Sequence, residues 1–334
     1  MSVFLCLKYV IGKTLKLSGE KALSPIESGR TGSIPRKNEV VRANSIRHKS
    51  TYITQQMLFE ECMPELPEVE TTKNGIAPHI LNQTIEHIEI RQPKLRWPIP
   101  DDVSIKLPGQ VVRRVTRRGK YIGVQTDAGT LIIHLGMSGS LYFVAPETPP
   151  MFHDHVDIHF AGLNKVLRYT DPRRFGAMLW QEGDWQLHEL ISHLGPEPLT
   201  DAFNVEYLYE KAKGRKQAIK QFIMDSKIVV GVGNIYANEA LFMAGIRPTR
   251  AAGNISKARL TVFVECIKSV LAAAIEQGGT TLKDFVSGEG KPGYFKQELK
   301  VYGRADQSCV ICKAPLKEIR QGQRSTVYCS TCQK

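Results

Sequence analysis

Four cysteines near the end of the chain limit its fold more than any other feature. Cys309, Cys312, Cys329 and Cys332 fall within the last 26 residues as C-x2-C-x16-C-x2-C. Two thiolate pairs, each on a tight turn, can meet tetrahedrally around one Zn²⁺, and the insert between them has the right length for a β-hairpin. Four thiolates leave no open position for water, so such a zinc is structural. The alternative is two disulfides in a secreted domain, which needs a secretory signal. The opening Met1–Gly12 is short for one, is interrupted by Lys8 and is followed by no small-residue cleavage site. Cys6, Cys62 and Cys266 have no comparable spacing and read as free thiols.

A finger of this size cannot be the whole protein. The chain has 334 residues, enough for two or three domains, and 42% hydrophobic content, enough to bury real cores. Its most apolar stretch, Ile228–Ile246, is broken by Asn234, Asn238 and Glu239. No run reaches the roughly 18 apolar residues of a membrane-spanning helix, which argues against a membrane-spanning enzyme. The formal charge of +12 predicts attraction to polyanions. No G-x-G-x-x-G follows a parallel strand and no P-loop occurs, so a nucleotide cofactor is not expected.

Residues 1–62 carry 10 Lys+Arg and 5 Asp+Glu, and Glu20–Ser50 shows no sustained helical or alternating period. This segment reads as a tail without a fold. From Met63 the texture changes. Pro67–Ile80 spaces Val69, Ile76 and Ile80 as in a helix entered through proline. Short β-branched runs follow at 85–90, 110–116, 121–126, 130–135, 140–144, 155–160 and 166–169, a pattern of β-sandwich or barrel. After Trp185 the period turns helical, at 205–212, 218–224, 235–243 and 256–277. The expected fold class is therefore α+β: a β-rich domain, a helical domain and a zinc hairpin.

Candidate chemistry lies at the junction of tail and helix. If the chain begins at Met63 and loses that residue, Pro64 becomes a free secondary amine. α-Amino groups titrate near pH 7.7–8.0, so a useful fraction is neutral and nucleophilic. Attack on a sugar C1′ would give an iminium electron sink, with Glu65 and Glu68 within one turn to exchange protons. The same residues also suit an ordinary helix N-terminus. Arg113, Arg114, Arg117, Arg118 and Lys120 form a basic run suited either to phosphates or to a solvated face. Met137, Arg173 and Phe175 lie on Gly-bounded turns and could wedge into a base stack; core packing is the alternative. Gly231–Tyr236 places glycines ahead of a helix, whose amides could hold a phosphate. His153-Asp-His-Val-Asp-Ile-His offers metal ligands, but its alternation on a strand favours DNA contact or packing over a second metal.

Residues 63–334 resemble bacterial formamidopyrimidine-DNA glycosylase of the zinc-finger type. The resemblance rests on Pro-Glu-Leu-Pro-Glu-Val-Glu at 64–70, Arg-Arg-Gly-Lys-Tyr at 117–121, His-Leu-Gly-Met-Ser-Gly at 134–139 and Thr-Asp-Pro-Arg-Arg-Phe-Gly at 170–176. It continues through Gly-Val-Gly-Asn-Ile-Tyr-Ala-Asn-Glu at 231–239, Gly-Lys-Pro-Gly-Tyr-Phe at 290–295 and the four cysteines. It implies a β-sandwich at 64–190, a helix–two-turn–helix DNA-binding domain at 191–295 and a zinc finger at 296–334. Damaged double-stranded DNA would lie in the cleft between them. By the same carry-over, Pro64 is the Schiff-base nucleophile and Glu65 the general acid and base. Lys120 serves β-elimination and Arg324 δ-elimination, both also binding phosphate. His153, Arg173, Arg215 and Asn234 contact DNA, and Met137, Arg173 and Phe175 fill the gap left by the flipped nucleotide. The loop through Lys291–Phe295 closes over the extruded oxidised purine. A monomeric, cytoplasmic, nucleoid-associated enzyme is implied.

The chain departs from the family at its start. With residues 1–63 attached, the Pro64 nitrogen is a tertiary amide without nucleophilicity. Either Met63 is the true start, which Glu60-Glu61 favours through a purine-rich codon pair, or the leader is removed. The sister enzyme endonuclease VIII, which excises oxidised pyrimidines, is the enzymatic alternative; Leu66 and Val69-Glu70 favour the purine branch. A zinc-containing DNA-binding module without catalysis becomes the alternative if Pro64 stays internal.

Overall fold

The computed structural model describes residues 64–278 and 299–334. The expectations for the leader 1–63 and for the loop through Lys291–Phe295 lie outside them. Helix α1 (Leu66–Ile80) opens the described chain with Pro67 in its first turn, where a missing N–H costs nothing. Its buried stripe of Val69, Ile76 and Ile80 packs into the core of the β domain.

That domain is a sandwich of two four-stranded antiparallel sheets. One has the order β1 (Ile85–Ile90), β6 (Asp154–Phe160), β7 (Val166–Thr170), β5 (Ser140–Val144). The other has the order β2 (Arg114–Arg118), β3 (Tyr121–Gln125), β4 (Thr130–His134), β8 (Ala177–Gln181). Between them lie Val156, Ile158, Leu167 and Tyr169 from the first sheet and Ile122, Val124, Leu131 and Met178 from the second. The outer face of the second sheet is covered too, by Trp185 and Ile191 against Ile132, Ala177 and Leu179. Buried on both faces, β4 lacks polar alternation and reads as a continuous apolar run.

The sequence pattern placed most of these strands within a residue or two, with informative exceptions. The run 110–116 becomes a strand only from Arg114, and the amide of Val112 bonds instead to the Gln83 carbonyl, outside the β2–β3 pairing. Strand β8 and the short helix α2 (Asp101–Lys106) have no expected counterpart. Ala-Met-Leu-Trp follows a Pro- and Gly-bounded turn too closely for periodicity to isolate it.

The helical domain packs α3 (Val205–Ala212), α4 (Ile219–Ile223), α5 (Asn234–Met243) and α6 (Lys257–Glu276) around Phe222, Tyr236, Leu241, Phe263 and Ile267. Helix α5 is buried from Asn234 through Phe242, apolar on most sides with Asn238 and Glu239 inside. Buried polar groups there must be satisfied. Asn238 accepts from the Val327 amide, and Glu239 accepts from the Lys300, Val301 and Tyr302 amides. These bonds fasten the C-terminal segment to α5. The finger itself is the hairpin β9 (Lys317–Gln321) and β10 (Arg324–Tyr328), and its small core of Val301, Leu316 and Val327 borrows Phe242 from α5.

Candidate active site and nucleic-acid interface

The first turn of α1 meets the first turn of α5. Glu65, 1% exposed, accepts hydrogen bonds from the Ile235 amide (2.9 Å) and the Tyr236 amide (3.4 Å). Its own amide donates to Glu68 Oε2 at 2.9 Å, and the Tyr236 hydroxyl donates to Glu68 Oε1 at 2.7 Å. The helix-terminal amides expected to hold a phosphate therefore hold a carboxylate, which satisfies the orphan donors of α5 from inside the protein. Burial pushes the Glu65 carboxyl up to about 7, opposed by the Lys120 charge and the two amides and assisted by Glu68. A carboxyl poised there can both give and take a proton at neutral pH. Pro64 precedes it directly and is buried.

Lys120 stands on the turn joining β2 to β3, half-buried. Burial holds its pKa below the usual lysine value, as does the Arg324 charge, while Glu65 and Glu68 oppose the shift. The rest of the basic run divides. Arg113 pairs with exposed Asp127. Arg117 bonds Glu70 and Glu197, and Arg118 bonds Glu197 and the Leu194 and Gly195 carbonyls. Glu197 also accepts from the Gly119 amide at 2.7 Å. Arg117 and Arg118 are thus internal ties that pin the Lys120 turn to the linker after the sandwich; Arg114 stays exposed.

Met137 and the pair Arg173–Phe175 sit on adjacent turns at one end of the sandwich. Phe175 is 42% exposed, with the Arg173 guanidinium 4.8 Å over its ring. An aromatic left this open on a rigid turn is not core, which removes the packing alternative for this residue. His153 is half-buried on the segment entering β6, and its carbonyl accepts from the Asp171 amide. The remaining polar residues of its strand are internal: His155 bonds the Asp171 carbonyl, and Asp157 pairs with Arg91 and Arg168. Glu89, Asp157 and His159 cluster, but those two arginines already neutralise Asp157. Arg215 is exposed on the turn between α3 and α4.

In the finger, Cys309 Sγ lies 3.9 Å from Cys332 Sγ and Cys312 Sγ 3.4 Å from Cys329 Sγ, too far for disulfides. All four sulfurs lie within 4.8 Å of one another. Thiolates at a Zn–S distance of 2.3 Å in a tetrahedron would be separated by about 3.8 Å, so the arrangement fits one Zn²⁺. The finger carries a structural zinc site. At the far end of its hairpin, Gly322 (φ +55°) and Gln323 (φ +67°) form the two-residue turn, and Arg324 follows it, exposed.

An open cleft of about 850 Å³ collects residues from all three parts: Glu65, Met137, Asn234, Ile235, Gln323 and Arg324 among them. The Oδ1 atom of Asn234 is buried there without a hydrogen-bond partner among the described residues. The structure thus brings Glu65, Met137, Asn234 and Arg324 to one wall, couples Lys120 to Glu65 and Arg324 by charge, and sets Arg173 and Phe175 beside Met137. Sequence reasoning overlooked Lys220. It is 1% exposed on α4, donates to the Ser325 carbonyl and Thr326 Oγ1 at 2.7 Å each, and has its pKa lowered to about 7 by burial and by Arg324. Its only signal was one charge in the apolar run Ala218–Ile223.

Three family models match consecutive parts of the chain: the formamidopyrimidine-DNA glycosylase N-terminal domain over 63–178, the formamidopyrimidine-DNA glycosylase H2TH domain over 194–286, and a zinc finger found in FPG and IleRS over 306–334. Among similar proteins, the formamidopyrimidine-DNA glycosylase of Marinomonas sp. (strain MWYL1) is 69% identical over 271 residues, covering 81% of this chain and 100% of the relative. That of Cellvibrio japonicus is 60% identical over 272 residues, with the same coverage. A complex of Lactococcus lactis Fpg with DNA containing an abasic site matches with TM-score 0.75 and 31% identity, over 81% of this chain and 100% of the other. Its complex with DNA containing N7-benzyl-Fapy-dG matches at 0.74, with the same identity and coverage.

Proposed function

The chain belongs to the formamidopyrimidine-DNA glycosylase family, and on that premise we propose that it excises oxidised purines, formamidopyrimidines and 8-oxoguanine, from duplex DNA. It is a base-excision glycosylase with abasic-site lyase activity. The observation that carries the reading is the Glu65 carboxyl: buried, held on the first turn of α5, adjacent in sequence to Pro64 and titrating near 7. In this reading the sandwich spans 64–190, the helical domain 191–295 and the finger 296–334.

The Pro64 nitrogen, as a free secondary amine, attacks C1′ of the flipped nucleotide. Glu65 supplies the proton the departing base or opening sugar requires, then takes one back. The resulting iminium draws electrons from the C2′–H bond, and loss of that proton expels the 3′ phosphate. Lys120 and Arg324 neutralise the phosphates that flank or leave the site, and Arg324 assists the second elimination. Asn234, His153, Arg173 and Arg215 hold the backbone, and Met137, Arg173 and Phe175 occupy the vacated stack, offsetting the few kcal/mol that flipping costs. The unpartnered Asn234 Oδ1 in the cleft wall is consistent with a polar ligand there. The enzyme acts as a monomer, without a nucleotide cofactor, on nucleoid DNA in the cytoplasm; among the described residues no helix is long and apolar enough to cross a membrane.

This chemistry requires Pro64 to be the N-terminus, so residues 1–63 are absent from the active protein. Borohydride trapping on an 8-oxoguanine duplex, with intact mass on protein made from its own gene, tests both points. A covalent adduct on a Pro64-initiated protein is expected. No adduct from that species refutes the Schiff base; a mass including residues 1–63 in an active preparation refutes the assigned terminus. Preferential trapping on oxidised pyrimidines would reassign the substrate.

A further inference from the structure

We propose that Asp171 is a positioning residue that joins the Met137 turn and the Arg173–Phe175 turn into one wedge. The inference rests on the reading that these three side chains fill the space left by a flipped nucleotide.

Asp171 is fully buried, at 0% exposure. Its Oδ1 accepts from Ser138 Oγ at 2.6 Å and the Arg173 amide at 3.3 Å. Its Oδ2 accepts from the Gly176 amide at 2.8 Å and the Tyr169 hydroxyl at 3.1 Å. Among the described residues, four hydrogen bonds and no ion pair hold this carboxylate. One partner comes from the Met137 turn, two from the Arg173–Phe175 turn and one from β7. The Arg173 amide also donates to Ser138 Oγ at 3.1 Å, closing a three-membered ring of bonds between the turns.

The backbones are pressed together around this hub. A Cβ on Gly136 (φ +69°) would lie 2.4 Å from the Gly176 nitrogen and from the Phe175 carbonyl carbon. Between them Arg174 is held in the left-handed region at φ +55°, a conformation that non-glycine residues adopt at a cost. A turn kept there by contacts on both sides moves as a block. A buried carboxylate with three of its four donors supplied by the two turns explains why the block stays together: separating them strands a charge. Met137, Arg173 and Phe175 then enter the duplex as a set, with displacement of any one transmitted to the others.

The test follows the 2-aminopurine fluorescence rise next to 8-oxoguanine in a duplex, alongside single-turnover base release, using the protein as its own gene produces it. Asp171→Asn keeps the volume but presents an N–H₂ where a carboxylate oxygen accepted, and is expected to slow both signals about tenfold. Ser138→Ala removes one cross-turn donor and is expected to slow both about threefold. Affinity for undamaged duplex and zinc content should stay at wild-type levels in both; a merely structural role would lower these together with the rate. Wild-type rates in both variants overturn the proposal, and if Asp171→Asn does not fold, wild-type rates in Ser138→Ala alone do so. Met137→Ala and Phe175→Ala separate the two levels. If these leave the fluorescence rise unchanged, the void-filling reading itself fails and this inference falls with it. If they abolish the rise while the Asp171 and Ser138 variants do not alter it, only the coupling fails.

Discussion

The Glu65 carboxyl lies directly against Gly233: a Cβ at that position would sit 2.1 Å from Glu65 Cδ and 2.4 Å from Oε1. Gly233 caps α5 at φ −99°, a conformation open to any residue, so what the glycine provides is space rather than left-handed freedom. Gly233→Ala should therefore fold and still bind DNA, yet displace the carboxyl by about an ångström. Loss of base excision by about 100-fold in single-turnover assays is expected, with little change in affinity for abasic-site duplex.

Glu65 also sets a pH signature on stability. Its pKa is raised on folding from 4.5 to about 7, so the folded state holds the proton more tightly than the unfolded chain. The stability this provides is full below pH 4.5 and is lost as pH rises to about 7, by roughly 3 kcal/mol in all. Glu65→Gln, neutral throughout, should lack that loss. Denaturant melts at pH 5 and pH 8 should show the variant gaining on the wild type at the higher pH, while base excision disappears.

Lys220 ties the helical domain to the strand that begins with Arg324. Lys220→Ala leaves the Ser325 carbonyl and Thr326 hydroxyl without their donor in a buried site, which costs about 1–3 kcal/mol for each group left unsatisfied. The expected result is a lower melting temperature and faster proteolysis within the finger. Lys220→Met, which fills the space without the donor, should recover the packing but not the full stability.

Removal of zinc should unfold the finger alone. Among the described residues its hydrophobic cluster is Val301, Leu316, Val327, Phe242 and the ligand cysteines Cys309 and Cys329, too little to hold without the metal. Chelation, or Cys312→Ser, should release one zinc per chain and abolish stable DNA binding. The thermal transition of the sandwich, whose core is separate, should persist.

Local chemistry made much of this protein legible from its residues. The C-x2-C-x16-C-x2-C spacing pointed to a metal hairpin because two close thiolate pairs can meet tetrahedrally around one Zn²⁺. β-branched runs and helical periods marked most elements because both are local properties of the residues. Pro64 and Glu65 suited an ordinary helix N-terminus as well as an amine–carboxyl pair, and it was the family resemblance that implied their roles. Strand β8 stayed hidden because its apolar run follows a Pro- and Gly-bounded turn too closely to be isolated, and Lys220 because a single lysine says nothing of where its ammonium ends.

What residues could not decide was which charges are spent inside. Arg117 and Arg118 suited either phosphates or a solvated face along the chain and became internal ties only when the fold brought Glu70 and Glu197 to them. The amides ahead of α5 suited a phosphate until α1 delivered Glu65 to them, across 170 residues of chain. Sequence determined the chemical inventory and the elements, since both are local properties. Pairing and desolvation depend on distances between segments far apart in the chain, and only the tertiary structure sets those.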